Sequence, residues 1–219
     1  MASRLEKAIR KTVTQGVMAV ASFNRQRMDE PAQPNPFVTG LNAPMAHELT
    51  LGNLQVTGSL PPTLDGRYLR IGPNPINPVT AANHHWFVGD GMVHGVRLQG
   101  GQALWYRNRW VRSKAVSQAL GEAPAPGPRR FSDTVNTHVL GHAGKTWALV
   151  EAGAYPVELG DELQTIAHNN FEGSLKGSFT ADGMQLAAGR VAVAVGGECR
   201  AGGRAAQGRA GQRRRLVRC

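Results

Sequence analysis

Histidine is the residue type in this chain best suited to chemistry. The sequence holds seven, and a neutral imidazole is a good ligand for ferrous iron, copper or zinc. His84 and His85 are neighbours, so on a strand they would point to opposite faces. His94, His138 and His168 stand apart, and His142 falls in a glycine-bounded turn. No HExxH string is present. Each is read as a surface or hydrogen-bonded histidine rather than a metal ligand. Cys199 and Cys219 are the only cysteines. The body of the chain therefore has neither a disulfide framework nor a thiolate metal site.

The elements that must position such residues fall into regions. Residues 1–30 read as an amphipathic helix, with Leu5, Ile9, Val13, Val17 and Val20 at helical spacing. Such a helix either lies on a membrane surface or packs on its own domain. Polar Thr14, Gln15, Ser22 and Asn24 break any resemblance to a signal peptide, and no apolar run is long enough to span a membrane, so a cytoplasmic protein is expected. Residues 31–57 form a proline-punctuated linker and the entry to the next region. Three hairpin patterns follow. Val93–Leu98 and Ala103–Val111 flank Gln99–Gln102; Thr137–Leu140 and Thr146–Glu151 flank Gly141–Lys145; Val157–Leu159 and Gln164–Ile166 flank Gly160–Glu162. Short strands, tight glycine turns and no long helix between them indicate an all-β antiparallel meander; sandwich, barrel and propeller all remain open.

Charge is unevenly placed. Of the formal net charge of +10, residues 189–219 supply eight arginines against Glu198 alone, leaving the first 188 residues nearly neutral. This Gly/Ala/Arg-rich tail has no folded pattern and is expected to be disordered or out of frame. As a nucleic-acid arm it lacks the aromatic residues that stack on bases, so nucleic acid is not the expected partner.

Several strings are more specific. Gly58-Ser59-Leu60-Pro61-Pro62-Thr63-Leu64-Asp65-Gly66-Arg67-Tyr68-Leu69-Arg70-Ile71-Gly72-Pro73-Asn74-Pro75 is the longest. His85-Trp86-Phe87-Val88-Gly89-Asp90-Gly91-Met92-Val93-His94, Tyr106-Arg107-Asn108-Arg109-Trp110-Val111-Arg112 and Leu149-Val150-Glu151-Ala152-Gly153 follow in order. Each alone reads as turn or strand chemistry that maintains a fold. Together and in this order they closely resemble the carotenoid oxygenase family, which includes carotenoid and apocarotenoid cleavage dioxygenases, stilbene-cleaving enzymes and the retinoid isomerase of the visual cycle.

The resemblance implies a seven-bladed β-propeller, of which residues 58–181 are the first blades and residues 182–219 a tail. It implies Fe(II) held by four histidines, oxygen addition across a conjugated double bond, and an apolar polyene substrate often drawn from a membrane. Glu151 falls where the family places a carboxylate that accepts a hydrogen bond from a ligand histidine. The first ligand normally follows Phe-Thr-Ala; here Phe179-Thr180-Ala181 is followed by Asp182. No histidine of this chain then corresponds to a family ligand, no residue is assigned as catalytic, and the chain is expected to bind no catalytic iron and to be inactive. Loss of similarity at Ala181 is expected to mark a frameshift or a truncated reading of the gene.

Overall fold

The computed structural model describes residues 12, 13, 15–17, 19–21, 23, 24, 27, 34–79, 82, 84–151, 153–175, 177 and 179, together with the backbone of 184–186, 190–193, 217 and 218. The chain divides into two compact units.

The first unit comprises residues 1–44 and 78–86. Its described residues between 12 and 24 are helical, and Val13, Val17, Val20 and Phe23 are all exposed. The Arg27 guanidinium sits 4.2 Å above the Phe23 ring. A short 3-10 helix spans Gly40–Asn42. Asn35 donates from Nδ2 to the His84 carbonyl at 2.8 Å, and the Phe37 ring lies 4.7 Å from that of His85. His84 and His85 stand outside any strand, so the alternation expected of them does not apply.

The second unit, residues 45–77 and 87–219, carries the sheets. β1 (Thr50–Gly52), β2 (Gly66–Pro73), β3 (Gly91–Gln99) and β4 (Gln102–Trp110) form an antiparallel sheet in the order β1-β4-β3-β2. The turn between β3 and β4 is only Gly100-Gly101, both at positive φ. This is the primed turn that matches the twist of the flanking strands, and two glycines enter it without steric cost. β1 was not legible in the sequence. It lies within the expected linker, and three residues are too few to show an alternation.

After β4 comes α1 (Lys114–Leu120), again unmarked by any sequence pattern because it makes only two turns. Ser113 caps it, accepting the Val116 amide on its side chain, and Gly121 ends it in the left-handed conformation.

The second sheet is a four-stranded meander of β5 (His138–His142), β6 (Lys145–Leu149), β7 (Val157–Leu159) and β8 (Thr165–His168), as the hairpin patterns predict. The β5–β6 turn is two residues, Ala143-Gly144, rather than the five expected. His142 therefore ends β5, paired with Lys145, and is not a turn residue. β6 is buried on both faces. Ala148 and Val150 join Val93, Val111, Val135, Val157, Leu159 and Leu163 in a core that also takes Leu69, Ile71 and Trp105 from the first sheet. Trp147 and Leu149 point the other way, onto Leu175 and Phe179. Full burial of each such side chain contributes roughly 1.5–3 kcal/mol.

β9 (Met184–Leu186) pairs antiparallel with β10 (Arg190–Val193), and β11 (Val217–Arg218) lies parallel to β10. The described residues of the 182–219 tail, for which the sequence offers no folded pattern, are thus in strands.

Candidate functional site

The residues that the family strings mark are mostly braces. Asn74 accepts the Met45 amide on Oδ1 at 2.7 Å and donates back to the Met45 carbonyl at 3.0 Å, while its own carbonyl accepts Trp110 Nε1 at 2.9 Å. Asp90 accepts the Ile76 amide at 3.1 Å. Asn108 is fully buried; it accepts the Leu49 amide at 2.5 Å and donates to the His47 carbonyl at 3.1 Å. Gly89-Asp90-Gly91 is pressed so closely onto the segment before β5 that a Cβ on Gly91 would meet the Val135 carbonyl oxygen at 1.7 Å. Asn136, next in line, donates to the Gly89 carbonyl at 2.9 Å.

Two arginines join the sheets. Arg67 donates to the Asp161 carbonyl at 2.9 Å and to Thr146 Oγ1 at 2.8 Å, and Arg107 pairs with Glu162. Strand alternation puts Arg107 and Arg109 on one face, but their partners lie more than 50 positions away in opposite directions: Glu162 for Arg107, Leu49 and Thr50 for Arg109.

Glu151 follows Leu149-Val150 directly, exposed at the end of β6. Its position is set by the pairing of β6 with β5, where the Thr137 amide donates to the Leu149 carbonyl at 3.1 Å, and by the burial of Val150. Phe179 packs in the cluster that contains Leu149, the last residue of β6, two positions before Glu151. Asp182 lies outside the described residues.

The histidines do not converge. His94 Nδ1 lies 2.9 Å from the Tyr106 hydroxyl, and burial, aided by the charge of Arg70, lowers its pKa to about 4. Burial, with His85 as a second cause, also lowers that of His84. His138 and His142 stand four positions apart, a spacing that brings two ligands together on a helix. On strand β5 the same spacing separates them by about 13 Å. Among the described residues, no three of His, Cys, Asp and Glu gather where they could hold a metal ion. These residues do not form the four-histidine iron centre that the resemblance implies, and no step of a reaction is derived through it.

A cleft of about 290 Å³ opens beside the end of β4, lined by Arg109, Arg112, Glu122, Gln164 and Thr165 among others. Arg112 is held by Glu48 and Glu122, and Arg109 donates to the Leu49 carbonyl at 2.8 Å. Trp110, Ala123 and Ala125 complete its lining, so the walls are mixed, and two arginines and a glutamate in a small cleft do not suit a long apolar polyene.

Residues 42–193 match the family described as retinal pigment epithelial membrane protein. A carotenoid cleavage oxygenase of Mycobacterium tuberculosis (strain CDC 1551 / Oshkosh) is 54% identical over 151 residues, covering 67% of this chain and 30% of that protein. A carotenoid 9,10(9',10')-cleavage dioxygenase of Crocus sativus is 32% identical over 186 residues, covering 68% of this chain and 33% of its own length. Among solved structures, lignostilbene dioxygenase of Pseudomonas brassicacearum superposes with a TM-score of 0.62 at 26% identity, over 75% of this chain and 37% of that one. The chain belongs to the carotenoid oxygenase family and corresponds to an amino-terminal portion of it. It spans about a third of the length of the curated relatives it matches. The family match continues to residue 193, past Ala181, where the motifs end, and it takes in the β9–β10 pair.

Proposed function

We propose that this chain is the amino-terminal portion of a dioxygenase that cleaves a conjugated double bond of a carotenoid or apocarotenoid, using Fe(II) and O2. The observation that carries this reading is the 54% identity to a protein named carotenoid cleavage oxygenase over two thirds of the chain. In the overall reaction one C=C bond is broken and each carbon receives one oxygen atom of O2, giving two carbonyl products. Bound iron would activate the oxygen. The residues of this chain contribute the braced sheets that set the end of β6, and Glu151 is proposed to hold a ligand histidine in one tautomer. The substrate is proposed to be an apolar polyene, and the seven-bladed ring to be completed by parts of the protein beyond this chain.

A chimera tests the reading. Residues 42–181 would replace the matching stretch of the Mycobacterium tuberculosis relative, which then supplies everything from the first ligand onward. Carotenoid cleavage and stoichiometric iron are expected, and Glu151→Gln in that chimera should weaken iron retention about 10- to 100-fold. A folded chimera that cleaves nothing would remove the functional reading; one in which E151Q keeps its iron would remove the role of Glu151. The 219-residue chain alone is proposed to hold no catalytic iron. Stoichiometric iron in the purified chain would refute that. Out-of-frame origin of the tail is checked by translating the DNA after the Ala181 codon in the other two frames; absence of a His-Pro and of further family sequence there counts against it.

A second reading, compatible with the first, is contact with a lipid surface. Its support is the exposure of Val13, Val17, Val20 and Phe23 on one helical segment. Co-sedimentation with liposomes should be lost when residues 1–28 are removed; binding that persists without them excludes this segment.

A further inference from the structure

One buried side chain outside the family strings is placed to respond to acid. His168 ends β8 with 2% of its surface exposed. Its Nε2 lies 3.2 Å from the Arg112 carbonyl oxygen. A carbonyl only accepts, so Nε2 carries the proton and Nδ1 of the neutral ring is bare. Nδ1 is buried and has no hydrogen-bond partner among the described residues.

The surroundings are tight and already satisfied. The His168 amide donates to the Pro126 carbonyl at 2.9 Å, and a Cβ on Gly127 would lie 2.0 Å from the His168 carbonyl oxygen. In the 125–133 segment Arg129 pairs with Asp133 at 2.9 Å, and Asp133 also accepts the Lys114 amide. At the end of β4 the Arg112 guanidinium is held by Glu48 and Glu122. On β7, which pairs with β8, Glu158 is held by Lys145 at 2.7 Å. Asp133, Glu48, Glu122 and Glu158 are each paired with a cation, and among the described residues none bonds Nδ1.

We propose that His168 is an acid-sensitive latch: its neutral ring fits the closed site on the Arg112 carbonyl while its backbone amide holds the Pro126 carbonyl of the 125–133 segment, and a proton on the ring, which the closed site cannot pair, favours opening of that contact. A proton on Nδ1 creates a charge and an unmatched donor in a buried site, beside the Arg129 cation. Burial is the main cause that lowers the pKa of His168 below 6.5; the bond to the Arg112 carbonyl opposes it, Arg129 adds to it, and Asp133 opposes it. The 125–133 segment carries Ala125, part of the lining of the cleft beside β4, so its release would open that wall.

Hydrogen exchange on the 219-residue chain, corrected for the intrinsic effect of pH, reads the latch at the His168 and Asn169 amides, which bond the Pro126 and Pro156 carbonyls. Protection at both should fall as pH drops below 6.5, by up to about tenfold per unit until the folded-state pKa is reached. His168→Gln keeps an N–H donor and cannot take up a proton, so its profile should be flat across the same range. Loss of protection in parallel in both proteins, or no loss in the wild type, overturns the proposal. Should H168Q not fold, a ring-proton NMR titration of the wild type decides. Amide protection lost as the ring charges supports the latch, and a ring that charges while the amide stays protected overturns it.

Discussion

His94 and Gly91 show how single residues of the family strings act here. The His94 ring bonds the Tyr106 hydroxyl, and its pKa of about 4 lies below the ordinary 6.5. Between those values the unfolded chain binds a proton that the folded chain does not. Its contribution to stability is therefore fully present above pH 6.5 and is lost as pH falls toward 4. Denaturant melts of His94→Gln against wild type from pH 7 to 4 should show a flatter decline in the variant; identical slopes would count against the shift. Gly91 answers to geometry instead. Its missing side chain admits the Val135 carbonyl oxygen, so Gly91→Ala must push β3 away from the Val135–Asn136 segment that leads into β5. A loss of about 3 kcal/mol or more is expected by urea denaturation, and a change under about 0.5 kcal/mol would sink the account. The sequence marked Gly91 as a turn residue, but not that another backbone occupies its place. That neighbour is 44 positions away, and no local pattern records it.

Elements were legible where they repeat a period and dark where they are short. The β3–β4 and β5–β6 hairpins follow from alternating strands around glycine turns. β1 and α1 hold three and seven residues, and each is fixed by long-range or capping bonds rather than by pattern. Asn108, near the end of β4, anchors the segment that leads into β1, bonding the Leu49 amide and the His47 carbonyl. Asn108→Ala should cost about 2–3 kcal/mol, because it leaves a buried donor and acceptor unmatched. Hydrogen exchange should show β1 released before the rest of the sheet; uniform loss would mean that Asn108 supports the whole sheet equally. Ser113→Ala, which removes the cap of α1, should cost about 1 kcal/mol by the same denaturant measurement.

At the scale of the whole molecule, the two four-stranded sheets are not equally covered. The second sheet has apolar clusters on both faces. The first buries one face against it and one end of the other, where Met92 and Trp110 pack with Val116; along the rest of that face Tyr68, Val96, Tyr106 and Leu51 align across the four strands. Tyr68 is 64% exposed and Leu51 is 49% exposed. An apolar row across a full sheet favours association with another sheet. The isolated chain is expected to self-associate and to melt broadly at low temperature. The double substitution Leu51→Glu/Tyr68→Glu should shift sedimentation toward monomer. A monomeric wild type with a sharp, high-temperature transition would contradict both expectations.

The order of strings from Gly58 to Gly153 by itself determined the family and the antiparallel hairpins, because turn chemistry and strand alternation are local and survive in one dimension. Folding in three dimensions decided what those strings do: Asn74, Asp90, Asn108 and Trp110 bond to backbone far along the chain, and Arg67 and Arg107 tie one sheet to the other. It likewise decided that His138 and His142 stay apart and that His168 is sealed away from solvent. The physical reason is the same in each case. Burial and hydrogen-bond partnership depend on residues distant in sequence, and those are chosen only when the sheets pack.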